Sequence, residues 1–162
     1  MTAALAASDA AGPERRLAPH RDYVTVSIAD QWFGIPVEAV HDVLGSQSIA
    51  RVPLAPPEVA GSLNLRGHIV TAVDPRVRLR LPALDDRTRM SVVVEHGNDF
   101  FSLLIDSVGE VLSLPEDRFE PNPVTLDARW REVSAGVFRL DDRLLVVLDV
   151  AQMLAFDRLM EA

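Results

Sequence analysis

The sequence predicts a mainly β fold in which one small barrel-like unit is used twice. Short apolar stretches separated by turn residues run through most of the chain, as in proteins built from many short strands. The apolar pattern of the first half also falls on the second. A shift of 68 positions lays residues 23–44 over a later stretch, with Phe33 on Phe101. A shift of 75 positions places Gly61 on Gly136, so one loop of the second copy carries extra residues.

The first copy is predicted to contain strands joined by turns, with two short helices. Acids at positions 38 and 42, between apolar residues, predict a short helical turn over residues 38–44 that ends at Gly45. Asp74 as N-cap and Pro75 at the first helical position predict the other helix. Alternating apolar and polar side chains indicate half-buried strands. These strands are expected at residues 23–28, 32–37, 48–52 and 68–73.

The second copy has the same plan. A hairpin loop is expected at residues 97–99 and a turn at residues 141–143, both rich in turn-forming residues. Asp149 is expected to cap a closing helix, and residues 115–130 are expected to be irregular. Strands are expected near residues 90–95, 100–105, 108–114, 133–140 and 144–148.

Composition favours one globular body divided into two lobes. The chain has 162 residues, of which 48% are hydrophobic and 25% charged, so it can bury a core. We expect a flexible tail at residues 1–22 and a closing helix at residues 150–160. Between them we expect two intertwined β-barrel subdomains, at about residues 23–85 and 86–150. The tail lacks the basic start and apolar run of a secretory signal, and no apolar stretch is long enough to span a bilayer.

Charge and cysteine content argue against several classes of function. The formal charge is −8, with 24 acids against 16 bases, and this excess would repel a nucleic-acid backbone. Without cysteine, the chain can form neither a disulfide nor a thiolate metal site, and we expect it to be cytoplasmic. The four histidines are scattered without metal-ligand spacing. Neither nucleic acid nor a metal is therefore predicted as a ligand.

No motif for catalysis is present. The sequence contains no nucleophile elbow, phosphate-binding glycine loop or dinucleotide fingerprint. The acid pairs at 85–86 and 141–142 fall in expected turns, where acids are usually solvated. Asp74 and Asp149 correspond through the repeat, which fits helix caps better than a catalytic couple. We therefore predict no catalytic residue and no cofactor. The remaining enzyme hypothesis is a small acidic hydrolase that uses Asp74 or Asp149 in a polar pocket.

Arg66 and the stretch from Glu38 to Leu44 each allow two interpretations. Arg66 falls on the acidic Asp141 of the second copy, so the lobes differ in charge here. It either forms an ion pair with a nearby acid such as Glu58 or donates hydrogen bonds to a partner protein. In the other stretch we expect Val43 and Leu44 in the core, whereas Val40 either joins them or lines a groove for a partner helix.

An ordered series of short motifs covers most of the chain, from about residue 23 to residue 154. The most specific is Asn64-Leu65-Arg66-Gly67, which is followed by Asp74 with Arg76. The other pieces are residues 33–37, 40–44, 52–61, 68–70, 104–108, 110–112 and 148–149. Together they resemble the CheW-type family of chemotaxis coupling proteins.

The resemblance implies two SH3-like, five-stranded β-barrels in a pseudo-twofold arrangement, with short helices and a C-terminal helix. It also implies a non-enzymatic scaffold that joins a CheA-type histidine kinase to the cytoplasmic tip of methyl-accepting chemotaxis receptors, in arrays at the inner membrane. A coupling protein of a non-flagellar chemosensory pathway, such as one controlling pili or development, is an alternative. A detached regulatory domain of such a kinase is another.

The resemblance further implies which residues contact each partner. Receptor binding is expected near Val40, Arg66 and Met90. Contact with the regulatory domain of the kinase is expected at Val37, Asp42 and Val43, with a second, ring-closing contact near Glu120.

Four positions depart from the family pattern. Asp42 stands where Glu is usual, Thr71 where Pro is common, Pro75 where Leu is common, and Glu120 where a basic or neutral residue is frequent. Residues 121–130 also match the pattern poorly.

Overall fold

The computed structural model describes residues 19–82 and 89–156. Residues 1–18 of the predicted tail, the acid pair at 85–86 and residues 157–160 of the predicted closing helix lie outside this range. Strand β1 begins at His20, so the last three positions of the predicted tail belong to a sheet. Within the described range no helix is long and apolar enough to cross a membrane.

The described residues form ten strands in two five-stranded sheets, as the predicted fold class requires. The first sheet, sheet A, has the order β8-β1-β2-β10-β9, and sheet B has the order β3-β6-β7-β5-β4. The strands are β1 His20–Ile28, β2 Gln31–Pro36, β3 Val40–Leu44, β4 Val59–Leu65, β5 His68–Val73, β6 Met90–His96, β7 Asp99–Ile105, β8 Ser107–Pro115, β9 Ser134–Arg139 and β10 Leu144–Leu148. Three short α-helices are also described: α1 Pro75–Arg78 after β5, α2 Ala128–Glu132 before β9 and α3 Val150–Met153 after β10.

The two sheets are related by the internal repeat. Exchanging β1 to β5 with β6 to β10 converts the strand order of sheet A into that of sheet B. The registers agree as well. Phe33 lies opposite Val26 in the antiparallel pair of β1 and β2 and opposite Val146 in the parallel pair of β2 and β10. Phe101 lies opposite Val94 and Thr71 in the matching pairs. Both sequence shifts, 68 and 75, are therefore confirmed.

Each sheet takes strands from both halves of the chain, two from one half and three from the other. The halves are thus interwoven rather than placed side by side, which agrees with the pseudo-twofold arrangement. The division into two intertwined subdomains at about residues 23–85 and 86–150 stays a prediction.

The edges of each sheet meet through one isolated bridge. The chain that leaves β3 returns to β4, where Ala50 and Ser62 exchange two backbone hydrogen bonds of 2.8 Å. The chain that leaves β8 returns to β9 in the same way, through Glu120 and Val137, at 2.9 and 2.8 Å. Each sheet therefore curls into a barrel-like lobe whose edges are joined at one described point.

Glycine is required at both bridges. Gly61 and Gly136 have φ of +154° and +153°, a region that side-chain-bearing residues rarely adopt. A Cβ atom on Gly61 would overlap the backbone of Ala50, and one on Gly136 would overlap the Phe119 ring and the backbone of Glu120. The glycine pair noticed in the repeat thus marks the point where each lobe closes.

The largest core lies where the two sheets pack against each other. It contains Val26 and Phe33 from sheet A and Val94 and Phe101 from sheet B, and three of these four are fully buried. Burial of a valine or phenylalanine side chain contributes about 1.5–3 kcal/mol relative to exposure, so this shared core joins the lobes. Each lobe also has a small core of its own. These consist of Tyr23, Phe138, Leu145 and Val147 in sheet A and of Leu63, Val70, Ala72 and Val93 in sheet B.

Several local predictions were wrong. The predicted helix over residues 38–44 is a single 3-10 turn, Val37–Ala39, followed by strand β3. The backbone of β3 pairs with β6 instead, with Val40 opposite Val94 and Val43 opposite Val92, and this strand pairing outweighs local helix signals. The strand predicted at residues 48–52 is reduced to the bridge at Ala50. Strand β4 was not predicted, because its glycine and polar residues hide the alternation.

Candidate partner-binding surface

Strand β3 provides one edge of sheet B, since β6 is its only partner strand among residues 19–82 and 89–156. Val40 packs against the large core and Leu44 against the small core of its lobe. Val43 lies between them in the alternation and is 37% exposed, so the prediction that Val43 is a core residue was wrong. A bulge between Val40 and Asp42 sets this alternation. The edge strand therefore offers an apolar side chain and free backbone groups to a partner.

The Asn64 to Gly67 motif forms the tight turn between β4 and β5. Arg66 and Gly67 have φ of +51° and +87°, as two-residue hairpin turns require. The Asn64 side-chain oxygen accepts a hydrogen bond of 2.9 Å from the Gly67 amide, and Leu65 packs against the small core. The motif thus has a structural role, because it fixes the turn that projects Arg66 into solvent.

Arg66 and Asp42 contact each other across these two elements. A guanidinium nitrogen of Arg66 lies 3.3 Å from a carboxylate oxygen of Asp42, and the Arg66 side chain remains 75% exposed. The other Asp42 oxygen accepts a hydrogen bond from the Val43 amide at 2.8 Å. The expected ion pair of Arg66 exists, with Asp42 rather than Glu58. A pair this exposed contributes about 0.2–1 kcal/mol, so most of the guanidinium is available to a partner.

The other expected contact residues lie at different distances from this pair. Val37 stands in the 3-10 turn before β3 and is 39% exposed. Met90 begins β6 and packs partly against the large core. Val40 lies opposite Val94, four positions further along β6, so Val40 and Met90 mark the two ends of this strand pair. Glu120 belongs to the other lobe, where it forms an ion pair of 3.1 Å with Arg139.

A cluster of three rings that sequence reasoning missed lies at the same surface. The Phe100 ring lies 4.5 Å from the His41 ring and 6.1 Å from the His68 ring, between centroids. Two of the histidines thought to be scattered therefore meet beside the Arg66 turn. His41 lies on β3, His68 on β5 and Phe100 on β7, so no local sequence pattern connects them.

Two buried ion pairs were also missed. The Arg76 guanidinium donates to Asp106 at 2.7 Å, and Arg89 donates to Asp74 at 3.1 Å. Burial acts to raise the pKa of Asp106, but hydrogen bonds from Arg76 and from the Ala29 amide outweigh it and hold that pKa below its usual value. The hydrogen bond with Asp106 raises the pKa of Arg76 in turn. The first pair connects α1 to the turn between β7 and β8, and the second connects the N-cap of α1 to the residue before β6. Both carboxylates are therefore held by arginine and neither is poised to act as a general base.

The geometry does not favour the hydrolase hypothesis. Asp74 accepts a hydrogen bond from the Arg76 amide at 3.0 Å and Asp149 accepts one from the Gln152 amide at 3.2 Å, so both cap short helices. Among residues 19–82 and 89–156 no cluster of histidine or acidic side chains could hold a metal ion. The arrangement instead offers an exposed edge strand, an exposed guanidinium and apolar side chains, which are features of protein recognition.

Comparison with known proteins agrees with this interpretation. Residues 22–158 match the family described as CheW-like domain. The chemotaxis protein CheW of Klebsiella aerogenes is 24% identical over 86% of this chain and 84% of its own length. CheW of Rhizobium meliloti is 26% identical over 80% and 84%. The crystal structure of the scaffolding protein TtCheW from Thermoanaerobacter tengcongensis has 25% sequence identity and superposes with a TM-score of 0.76, covering 85% of this chain and 94% of that one.

Proposed function

Because the chain belongs to the family of CheW-like domains, we propose that it is a chemotaxis scaffold that couples receptors to a CheA-type histidine kinase without being an enzyme itself. The observation that carries this proposal is that two lobes of one fold present different side chains at matching positions. The Arg66-Gly67 turn of one lobe corresponds to the Asp141-Asp142 turn of the other. Unlike surfaces on one protein suit a scaffold that holds more than one partner.

The kinase contact is assigned to Val37, Asp42 and Val43. Val37 and Val43 are exposed. Val37 precedes the edge strand β3 and Val43 lies within it, and no described strand pairs with the outer side of β3. An apolar edge with one acid between two valines supports docking of a small β-rich regulatory domain. Glu120 belongs to the other lobe, and its carboxylate is assigned to a second contact with the kinase.

The receptor contact is assigned to Val40, Arg66 and Met90. Arg66 supplies the directed hydrogen bonds, because its planar guanidinium is held outward by the hairpin turn. Val40 and Met90 supply apolar area at the two ends of the strand pair of β3 and β6. A helical hairpin at the receptor tip presents the apolar stripe that such a surface binds.

Coupling follows from holding both partners at once. A scaffold that binds receptor and kinase raises the effective concentration of one beside the other. It also transmits conformational bias if each partner prefers one arrangement of the contact residues. The ion pair between Asp42 and Arg66 connects the two assigned contacts directly. Association with receptor arrays at the membrane would then come from the receptor.

A binding assay with purified partners tests the proposal. The full chain is immobilised, and a kinase regulatory domain and a receptor-tip hairpin are offered separately. We expect saturable binding of each, weakened by Asp42→Asn for the kinase domain and by Arg66→Glu for the hairpin. A folded chain that binds neither partner would contradict the proposed function.

A further inference from the structure

A groove of about 580 Å³ opens on the sheet A lobe, away from the Arg66 turn. Its floor is apolar, and it includes Phe119, which is 41% exposed. Its rim is charged. We call it the Phe119 groove, and its lining includes Arg21, Tyr23, Glu38, Ala39, Glu116, Phe119, Val147 and Asp149.

The rim of the Phe119 groove carries three carboxylates and one guanidinium. Arg21 lies 3.4 Å from Glu38, and both side chains are largely exposed. Neither Glu116 nor Asp149 has an ion-pair partner among the described residues. The rim therefore has a net negative charge that no described side chain of this protein neutralises.

The other lobe shows what this arrangement lacks. Through the repeat, Arg89 corresponds to Arg21, and Asp106 and Asp74 correspond to Glu38 and Asp149. In that lobe each of the two acids forms an ion pair with its own arginine. Arg89 binds Asp74, and a second arginine on α1 binds Asp106 at 2.7 Å.

The second arginine is missing from the sheet A lobe. It is Arg76, and a shift of 75 positions places Ala151 at its position on α3. Ala151 is exposed and has no side chain that could reach the acids. The Phe119 groove thus has acids, Glu38 and Asp149, at the two positions whose counterparts bind arginines in the related lobe. It has a third acid, Glu116, and one arginine fewer.

We propose that the Phe119 groove binds an arginine of a partner protein, with the guanidinium where Arg76 lies in the related lobe. A guanidinium matches a carboxylate pair by charge and by its planar set of donors. An apolar residue beside that arginine covers Phe119, which favours a protein segment over a free cation. Pro36 and Ala39 also line the groove and flank Val37, so the segment would continue the assigned kinase contact. The proposal does not depend on that assignment.

Titration of the full chain with a short peptide tests the proposal. The probe is an acetylated and amidated peptide of alternating leucine and arginine, and the control probe has citrulline in place of arginine. Binding is followed by amide chemical shifts in two-dimensional NMR. We expect the largest shifts at Glu38, Glu116 and Phe119, and at least tenfold tighter binding of the arginine peptide.

Variants distinguish binding in the Phe119 groove from non-specific electrostatic binding of an arginine peptide to an acidic protein. Ala151→Arg supplies the missing guanidinium from within the chain, so it should lower the affinity for the arginine peptide at least tenfold. Ala151→Gln should change that affinity less than twofold. Glu116→Gln should weaken binding severalfold, while Glu95→Gln, which removes an acid outside the groove, should not. Equal binding of both peptides, shifts centred elsewhere, or full binding to Ala151→Arg would overturn the proposal. So would concentration-dependent shifts of the groove without peptide, because a second copy of the chain would then be its occupant.

Discussion

Replacing Arg66 by glutamate should separate partner binding from stability. The native ion pair spans 3.3 Å, with side chains 75% and 24% exposed, so its loss costs about 0.2–1 kcal/mol. The introduced carboxylate then faces Asp42, and two like charges about 4 Å apart in water repel by about 1 kcal/mol. The free energy of unfolding should fall by no more than about 2 kcal/mol. For a chain of this size that lowers the melting temperature by roughly 4–8 °C.

Binding should respond far more strongly. A hydrogen bond to a charged group contributes about 1.5–3 kcal/mol. Loss of the guanidinium should therefore lower the affinity for the receptor-tip hairpin roughly 10-fold to 100-fold or more. The assay pairs isothermal titration calorimetry with thermal unfolding of the same samples. Arg51→Glu, at an exposed arginine without a described ion pair, is the matched control and should affect neither. Unchanged affinity for Arg66→Glu, or a stability loss well above 3 kcal/mol, would refute the reasoning and leave Arg66 a structural residue.

Three further predictions concern the edge strand, the lobe closure and the buried ion pair. Val43→Ser should lower the affinity for the kinase domain at least fivefold in a pull-down titration. Val111→Ser, at the position that corresponds through the repeat, should leave it unchanged, and equal effects would contradict the assigned contact. Gly61→Ala should cost more than about 2 kcal/mol in urea unfolding, and a neutral result would contradict the described closure. Arg76→Leu should cost about 3 kcal/mol, because it leaves the largely buried Asp106 without its arginine, with the Ala29 amide still donating to it. Since the folded-state pKa of Asp106 is lowered, the native pair stabilises the fold above about pH 4 and loses this effect as the pH falls further. If Arg76→Leu had the same dependence of unfolding free energy on acid pH as the native chain, this assignment would be contradicted.

The sequence predicts the architecture better than it predicts single elements. The repeat was visible because buried positions recur at fixed spacing, and Phe33 and Phe101 indeed occupy matching registers. Strand β3 was mistaken for a helix because acids four residues apart, at Glu38 and Asp42, fit either structure until the pairing with β6 decides. Strand β4 was missed because closure of the lobe requires Gly61 in the middle of a strand.

The binding surface was only partly predictable for a related reason. Arg66 could be singled out because the two copies differ in charge at one turn, but its partner Asp42 lies 24 positions earlier in the sequence and no local pattern connects them. The pair of Arg76 and Asp106 spans 30 positions and was equally hidden. Contacts between distant segments depend on the interwoven strand order, which the apolar pattern alone does not specify.

A mixing experiment with all three components addresses the scaffold role most directly. The full chain, a kinase regulatory domain and a receptor-tip hairpin are combined at concentrations above the separate dissociation constants, and the mass of the complex is measured by light scattering after size exclusion. A ternary species that contains all three components is predicted, because the kinase contact on β3 and the receptor contact are assigned to different residues. Two binary complexes that exclude each other, with no ternary species at any concentration, would contradict it.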